Sequence, residues 1–468
     1  MMELNAQFFQ DTLPAGRWEG TPLEGSVSGL NQDTRTLHPG DCFVALKTDK
    51  RDGHDFLANA QSSGAIAALV SHADPEVELA QFVVSDPLQA LQDLAHAHRK
   101  KFSGKVVGIT GSAGKTSTKE LLATLLGEPI CVTQGNFNNT LGLPISVLRL
   151  EDSDRWGVFE AGIDRAGEMD VLAGVLEPDV GIVTLVAEAH LERLGSLEGV
   201  AHEKAKLLQN IRTGGLCIFP DACLQYPEFK DLAKASWVLT RDRELNLESD
   251  LQTRIPYWTE TTDVYHDGVR LCIAGPVRPV SQFDLPPMSS GMVSNAALAI
   301  LAAQHAGIED SEIQPRLRSW TPADKRGQWR AYLKRNVFVD CYNANPASMV
   351  DSARFFDEQT QQAEKRIFIL GTMNELGEDA ASYHRSVGER LPLRSRDLVY
   401  CVGAHAADLK VGVDQSGRNV ELVETYPDVD ALRETWREMT GVIFLKGSRG
   451  LSLETLLDIP CERKGPVC

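Results

Sequence analysis

The residues with the plainest chemical potential lie in TGSAGKTSTKE, residues 110–120. An apolar run, VVGIT, precedes them, and LLATLL follows with leucines at helical spacing. That order predicts strand, glycine loop and helix. At such a junction successive backbone N–H groups and the positive end of a helix dipole converge on one small volume suited to phosphate. Lys115 can reach the outer phosphates of a nucleoside triphosphate, ATP or GTP, and the Thr116 hydroxyl can ligate Mg²⁺. The usual phosphate-loop pattern has glycine where Ile109 stands; Gly111, Gly114, Lys115 and Thr116 keep the rest of it.

Other polar residues fall where strands should end. FEAG puts Glu160 after an apolar run, and AEAHLERLGS puts His190 after another. With Thr116 they offer oxygen and imidazole donors of the kind that hold Mg²⁺ or Mn²⁺ beside a triphosphate. QGNFNNTLGLP, residues 134–144, packs three asparagines and two glycines into one loop. Taken singly these are common turn and capping residues. GVAHEKAKLLQNI reads as a helix with solvated lysines, Lys206 among them.

Positioning these groups calls for a parallel sheet. From Val106 onward strand-like runs alternate with helical stretches (VVGIT, WGVFEAG, VGIVTLV), the pattern of βαβ units. The helix SNAALAILAAQHAG closes that region, and SWTPADKRGQWRAY has the proline, charge and glycine of a hinge. The pattern then restarts in NVFVDCYNANP, KRIFILGTMNELG, DLVYCVGAHA and GVIFLKGSRG, each an apolar strand running into a polar loop. Ligands bind at such carboxyl ends. The first hundred residues form a smaller α/β unit, with HRKKFSGK as the joint to the next. The expected architecture is α/β with three domains over 1–100, 101–320 and 321–468.

Composition narrows the function. The 468 residues carry 43% apolar and 24% charged residues and a net charge of −18, which argues against nucleic acid or an anionic membrane as partner. Nine dispersed cysteines without a C-x-x-C pair support neither a zinc site nor a redox dithiol and suit a reducing cytoplasm. No signal peptide and no membrane span is read.

Together, NQDTRTLHPGDCFVALK, DGHDF, TGSAGKTSTKE, GNFNNTLGLP, AHLERLGS, EGVAHEKAK, VDCYNANPASM, MNELG and LKGSRG resemble the Mur ligase family in order and over nearly the whole chain. GNFNN, YNANP and MNELG resemble the branch that adds D-alanyl-D-alanine to UDP-N-acetylmuramoyl-tripeptide. The resemblance implies a UDP-sugar-binding N-terminal domain, a central ATPase domain and a C-terminal Rossmann-like domain. It further implies ADP-forming peptide ligation through an acyl phosphate, with ATP and Mg²⁺, in a monomer of the cytoplasm that serves peptidoglycan precursor synthesis.

It also implies roles by position. Asp33, Thr34, Arg35 and Lys47 would contact the uridine nucleotide; Gly111, Ser112, Ala113, Gly114, Lys115, Thr116 and Ser117 would hold the ATP phosphates. Asn136 and Asn139 would face substrate, Glu160 and His190 metal, and Lys204 would be carbamylated to support a second metal. Asn295 would face adenine, Arg326 and Asp340 would close over the nucleotide, and Tyr342, Asn343 and Asn345 would lie beside them. Departures from the family pattern occur at Leu185 (usually Asn), Ala187 (Gly), Lys206 (acidic), Gly291 (His) and Thr372 (Asp). Two alternatives remain: a Mur-type ligase for another amino acid, and a catalytically weakened homologue that binds UDP-sugar peptides.

Overall fold

A computed structural model describes residues 3–241, 254–261, 268–274, 280–333 and 335–458. The chain forms two compact units, one of Met1–Thr110, Leu126–Val183 and Glu203–Ile218, the other of Gly111–Leu125, Thr184–His202 and Phe219–Cys468. Three regions of α/β structure follow one another along it, as the alternating runs predict.

In the first region α1 (Ala6–Thr12) and β1 (Arg17–Gly20) lead into β2 (Leu30–Asn31), β3 (Cys42–Val44), α2 (Leu57–Ser62), β4 (Ala67–Val70) and β5 (Ala80–Val83). The sheet order is β1-β5-β4-β3-β2, parallel except for β1. Phe9, Trp18 and Phe82 close one side of it, with ring centroids 4.8–5.5 Å apart. Asp86 caps α3 (Pro87–Lys101), accepting from the N–H groups of Leu88 and Gln89, with Pro87 in the first turn where its missing N–H costs nothing.

The helical stretch PLQALQDLAHAHRKKF is α3, so HRKK, the start of the expected joint, is its last turn, and only Phe102, Ser103 and Gly104 separate it from the next strand. Arg99 is fully buried, and its guanidinium donates to the Leu176 carbonyl (2.8 Å) and the Asp179 carboxylate (2.8 Å). Asp179 also accepts from the Val106 N–H (2.9 Å) and Lys105 Nζ (3.1 Å). One carboxylate thus ties α3 to the start of the central sheet. The sequence could not distinguish a buried basic helix end from a solvated joint, because the partner lies some eighty residues away.

The central region runs β6 (Lys105–Thr110), α4 (Lys115–Leu126), β7 (Ile130–Val132), α5 (Gly142–Val147), β8 (Trp156–Glu160), α6 (Glu168–Leu176), β9 (Val180–Val183), α7 (Leu191–Leu194), α8 (Leu197–Gln209) and β10 (Leu216–Pro220). These strands pair in parallel in the order β10-β9-β6-β8-β7, and their unbroken apolar runs are those of strands covered on both faces. After α9 (Pro227–Leu232) come β11 (Ser236–Thr240), β12 (Arg254–Thr261), β13 (Val269–Ile273) and β14 (Ser281–Leu285), joined in sequence. The helix read at 294–307 is α10 (Ser290–His305), buried nearly all round, its alanines allowing close approach. The short α11 (Asp310–Ser319) follows.

The expected hinge is strand over its last five residues. These are β15 (Gln328–Tyr332), antiparallel to β16 (Arg335–Val339). The last region continues with α12 (Pro346–Gln359), β17 (Arg366–Gly371), α13 (Ala380–Arg390), β18 (Leu398–Val402), α14 (Ala406–Gln415), β19 (Leu422–Tyr426), α15 (Val429–Glu438) and β20 (Val442–Lys446). The sheet order is β15-β16-β20-β17-β18-β19, parallel from β16 on. Register sets Phe338, Phe444 and Phe368 side by side on neighbouring strands, and Phe356 of α12 packs on all three at 5.2–6.3 Å. Among the described residues no helix is long and apolar enough to cross a membrane.

His384 of α13 lies wholly inside this last region, accepting the Met373 N–H at Nε2 (2.8 Å) with Nδ1 on the Ala380 carbonyl (2.6 Å). Burial pulls its pKa from 6.5 down to about 4. The unfolded chain therefore takes up this proton as pH falls through 6.5, while the native state resists until near 4. Stability from the neutral ring is complete above pH 6.5 and declines below it. Wild-type protein should lose roughly 2 kcal/mol more than His384→Asn between pH 7 and pH 5 in urea unfolding. Separately, Asp179→Ala strands the buried Arg99 and should cost about 3–5 kcal/mol, read as a lowered thermal midpoint.

Candidate active site

The phosphate-loop residues turn between β6 and α4 as the sequence predicts. Gly111 and Gly114 have φ of 152° and 83°, and neither has room for a side chain. A Cβ on Gly111 would overlap the Thr184 hydroxyl, and one on Gly114 would lie 2.6 Å from the Asn295 amide. Thr184 Oγ1 donates to the Ala113 carbonyl at 2.5 Å. The Ser112 N–H donates to the Leu185 carbonyl (2.8 Å), and its hydroxyl donates to the Ala187 carbonyl (2.7 Å) and accepts from the Ala187 N–H (3.0 Å). Leu185 and Ala187 thus meet Ser112 through main-chain atoms, so their departures from the family pattern leave these bonds in place. Lys115 Nζ donates to the Gly111 carbonyl at 2.6 Å, over the mouth of the loop. Thr116 follows it in the first turn of α4, with Ser117 buried behind.

Two further segments of the same unit reach this loop. Asn295, on α10, lies against Gly114 as described. Asn345 caps α12, its Oδ1 accepting from the Ser348 N–H (2.8 Å) while its Nδ2 donates to the Ser112 carbonyl (3.2 Å). Upstream of that cap, Tyr342 has two guanidinium groups over its ring, Arg326 at 3.8 Å and Arg449 at 4.7 Å from the centroid. Asp340 Oδ2 accepts from Lys446 Nζ (2.6 Å) and the Ser352 hydroxyl (2.7 Å). Exposed Asn343 turns its own Oδ1 to the Ala344 N–H (2.9 Å).

His190 caps α7 with φ of 56°, and its Nδ1 lies 2.5 Å from Glu375 Oε2. The imidazole beside it holds the Glu375 carboxyl below its usual pKa. Glu375 sits in a loop fixed by His384 at Met373 and by the Ser448 hydroxyl, which accepts the Asn374 N–H at 2.9 Å. Thr372 is buried there, its hydroxyl donating to the Val402 carbonyl (3.1 Å) and accepting from the His405 N–H (3.2 Å). A carboxylate at 372 would lose the hydroxyl donor to the Val402 carbonyl, which would keep the residue 372 N–H (2.9 Å).

The remaining residues belong to the other unit. Glu160 ends β8, buried, with its N–H on Thr133 Oγ1 (3.0 Å) and its carboxylate 3.4 Å from Asn138 Nδ2. Asn139 lies just ahead of α5, its Oδ1 accepting from the Leu141 N–H (3.2 Å) and the Gly142 N–H (2.8 Å), and Asn136 is exposed. Lys204 is 1% exposed on α8. Lys206, expected to be solvated, is instead paired with Asp170 (2.7 Å) and Glu203 (2.6 Å), because α6 brings a carboxylate to that face of α8. Asp33 and Arg35 form a bidentate pair (2.9 and 2.6 Å) that lowers the Asp33 pKa to about 2, with Thr34 between them. Lys47 pairs with Asp52 at 3.2 Å, and Asp52 also holds His54 at 2.6 Å.

Sequence reasoning singled out neither Glu375, Arg449 nor Asn138. Their motifs were visible in MNELG, LKGSRG and GNFNN, but which residue of each meets His190, Tyr342 or Glu160 is set by long-range packing.

Three family models match in order: "Mur ligase family, catalytic domain" over 26–99, "Mur ligase middle domain" over 109–303, and "Mur ligase, glutamate ligase domain" over 325–449. The UDP-N-acetylmuramoyl-tripeptide–D-alanyl-D-alanine ligase of Treponema pallidum is 30% identical over 445 residues, covering 92% of each chain. That of Bacillus subtilis is 29% identical over 461 residues, covering 97% of this chain and 96% of its own. A crystal structure of MurF from Acinetobacter baumannii, 26% identical, superposes with a TM-score of 0.82 over 97% of this chain and 98% of that one. The chain belongs to the Mur ligase family.

Proposed function

We propose that this protein joins the amine of D-alanyl-D-alanine to the terminal carboxylate of UDP-N-acetylmuramoyl-tripeptide in an ATP-driven amide ligation, a step of peptidoglycan precursor synthesis. The observation that carries the reading is the Asn345–Ser112 bond: the YNANP loop, a marker of this branch, sits on the phosphate loop itself. The relatives named above, similar over nearly their whole length, carry that activity in their names.

The chemistry needs activation, because a carboxylate is inert toward amines. The γ-phosphoryl group of ATP passes to a carboxylate oxygen of the tripeptide, releasing ADP. The dipeptide amine then attacks the acyl carbon, loses a proton, and phosphate leaves. No protein nucleophile is required, so positioning and charge stabilisation supply the rate. Gly111–Thr116 cradle the phosphates, and Lys115 neutralises charge on the transferring group. Asn295 meets the adenine side, while Arg326 and Asp340, with Tyr342, Asn343 and Asn345, complete the nucleotide and amine side. Asp33, Thr34, Arg35 and Lys47 grip the uridine diphosphate, and Asn136 and Asn139 line the acceptor peptide.

Mg²⁺ fits the donors each unit offers in kind: the Thr116 hydroxyl and His190 imidazole in one, and the Glu160 carboxylate and, once carbamylated, Lys204 in the other. A carboxylate against the other side of a histidine, as Glu375 is against His190, is the usual backing of a metal-binding imidazole. Held by such donors, the ion would withdraw charge from the phosphoryl oxygens. The protein acts as a monomer of the cytoplasm.

Phosphate release from ATP should require both UDP-N-acetylmuramoyl-tripeptide and D-alanyl-D-alanine and give a pentapeptide product by mass. No release with both substrates, despite ATP binding, would sink the reading. Lys115→Ala should lower kcat/KM by about 10²–10³ while leaving the dipeptide KM nearly unchanged.

A further inference from the structure

Helices α10 and α12 each send an asparagine to the phosphate loop, and a single carboxylate ties the two helices together. Asp351, in the second turn of α12, accepts the Ser289 hydroxyl at Oδ2 (2.6 Å) and the Gly291 N–H at Oδ1 and Oδ2 (3.0 and 3.1 Å). Ser289 is the N-cap of α10, and its oxygen also accepts the Met292 N–H (3.3 Å). The carboxylate therefore sits on the positive end of a sixteen-residue helix and satisfies a donor there.

Gly291 makes this approach possible. A Cβ at that position would lie 2.7 Å from Asp351 Oδ2, so a larger residue would push the carboxylate away. The contacts close a ring: phosphate loop at Gly114, Asn295, α10, Gly291, Asp351, α12, Asn345, and the loop again at Ser112. On α10 the tie and the loop contact are four residues apart, and on α12 six, about 6 and 9 Å of helix rise. A shift of either helix end would move an asparagine on the loop.

We propose that Asp351 is a positioning residue for the nucleotide: by locking α10 to α12 it holds Asn295 and Asn345 on the phosphate loop and sets that loop's shape for the triphosphate. The inference rests on the nucleotide-binding reading given above. Gly291 and Asp351 then form one device, in which glycine is needed because the carboxylate is present.

The test is a double-mutant cycle on the full chain with Asp351→Ala, Gly291→Ala and the combination, and Asp351→Asn as the conservative variant. The KM for ATP, the KM for each of the other substrates, kcat and the thermal midpoint would be measured. Asp351→Ala should raise the ATP KM roughly tenfold with the other two KM values unchanged. Gly291→Ala should reproduce that effect and add little to it in the double variant. Asp351→Asn, whose amide oxygen still accepts one donor, should recover most of the wild-type KM.

An unchanged ATP KM in Asp351→Ala, whatever happens to the thermal midpoint, overturns the proposal, as does an equal rise in all three KM values. Independent effects of the two substitutions would separate Gly291 from Asp351 and overturn the coupled device. Wild-type protein without affinity for ATP in calorimetric titration would remove the functional reading itself, and the inference with it.

Discussion

A loop that wraps phosphate with its own N–H groups cannot carry side chains where it turns, and it cannot hold its shape alone. Glycine supplies the turn but is the residue that loses most freedom on ordering. Gly111 and Gly114 therefore need restraint from elsewhere, and in this chain it comes from several segments remote in sequence. Thr184, Leu185 and Ala187 hold one side by hydrogen bonds, Asn295 fills the space over Gly114, and Asn345 takes the Ser112 carbonyl. Much of the second unit can be understood as the apparatus that brings those segments to one place.

The last region does this through its sheet edge. β16, β20 and β17 are neighbours, so the loops that follow them, at Asp340–Asn345, Gly447–Arg449 and Thr372–Leu376, emerge side by side at the carboxyl ends. Phe338, Phe444 and Phe368 anchor those strands at one level under Phe356, which gives the loops a rigid floor. Above that floor His384, Ser448 and Lys446 fix individual backbone or carboxylate groups, so polar loops are as firmly placed as the strands.

What the sequence revealed and what it withheld divide along physical lines. Strand and helix alternation, the glycine loop and the position of Glu160 at a strand end were legible, because periodicity and turn chemistry are local; His190, read as following a strand, lies seven residues past β9, at the start of α7. The fate of charged side chains was not legible. HRKK read as the basic start of a joint, and nothing there marked Arg99 for burial against Asp179; Lys206 read as solvated, yet it bridges Asp170 and Glu203. Nor did the sequence show that Asn139, read as facing substrate, also accepts the Leu141 and Gly142 N–H groups at Oδ1, just ahead of α5. The pairings of His190 with Glu375 and of Tyr342 with Arg449 likewise depend on which loops the folded chain brings together. A charge's partner is a property of the fold, and composition alone cannot name it.

The bonds at Leu185 and Ala187 bear on what a substitution there means. What Ser112 requires of them is a carbonyl from each and an N–H from residue 187. Every amino acid offers the carbonyls, and every one but proline offers the N–H. These bonds by themselves exclude only proline at 187, so any side chain that the packing admits leaves them in place; Ala187, which is buried, admits few. Proline at 187 aside, a different letter at 185 or 187 therefore says nothing by itself against the loop's bonds; only a side chain that the packing at 187 cannot hold would disturb them.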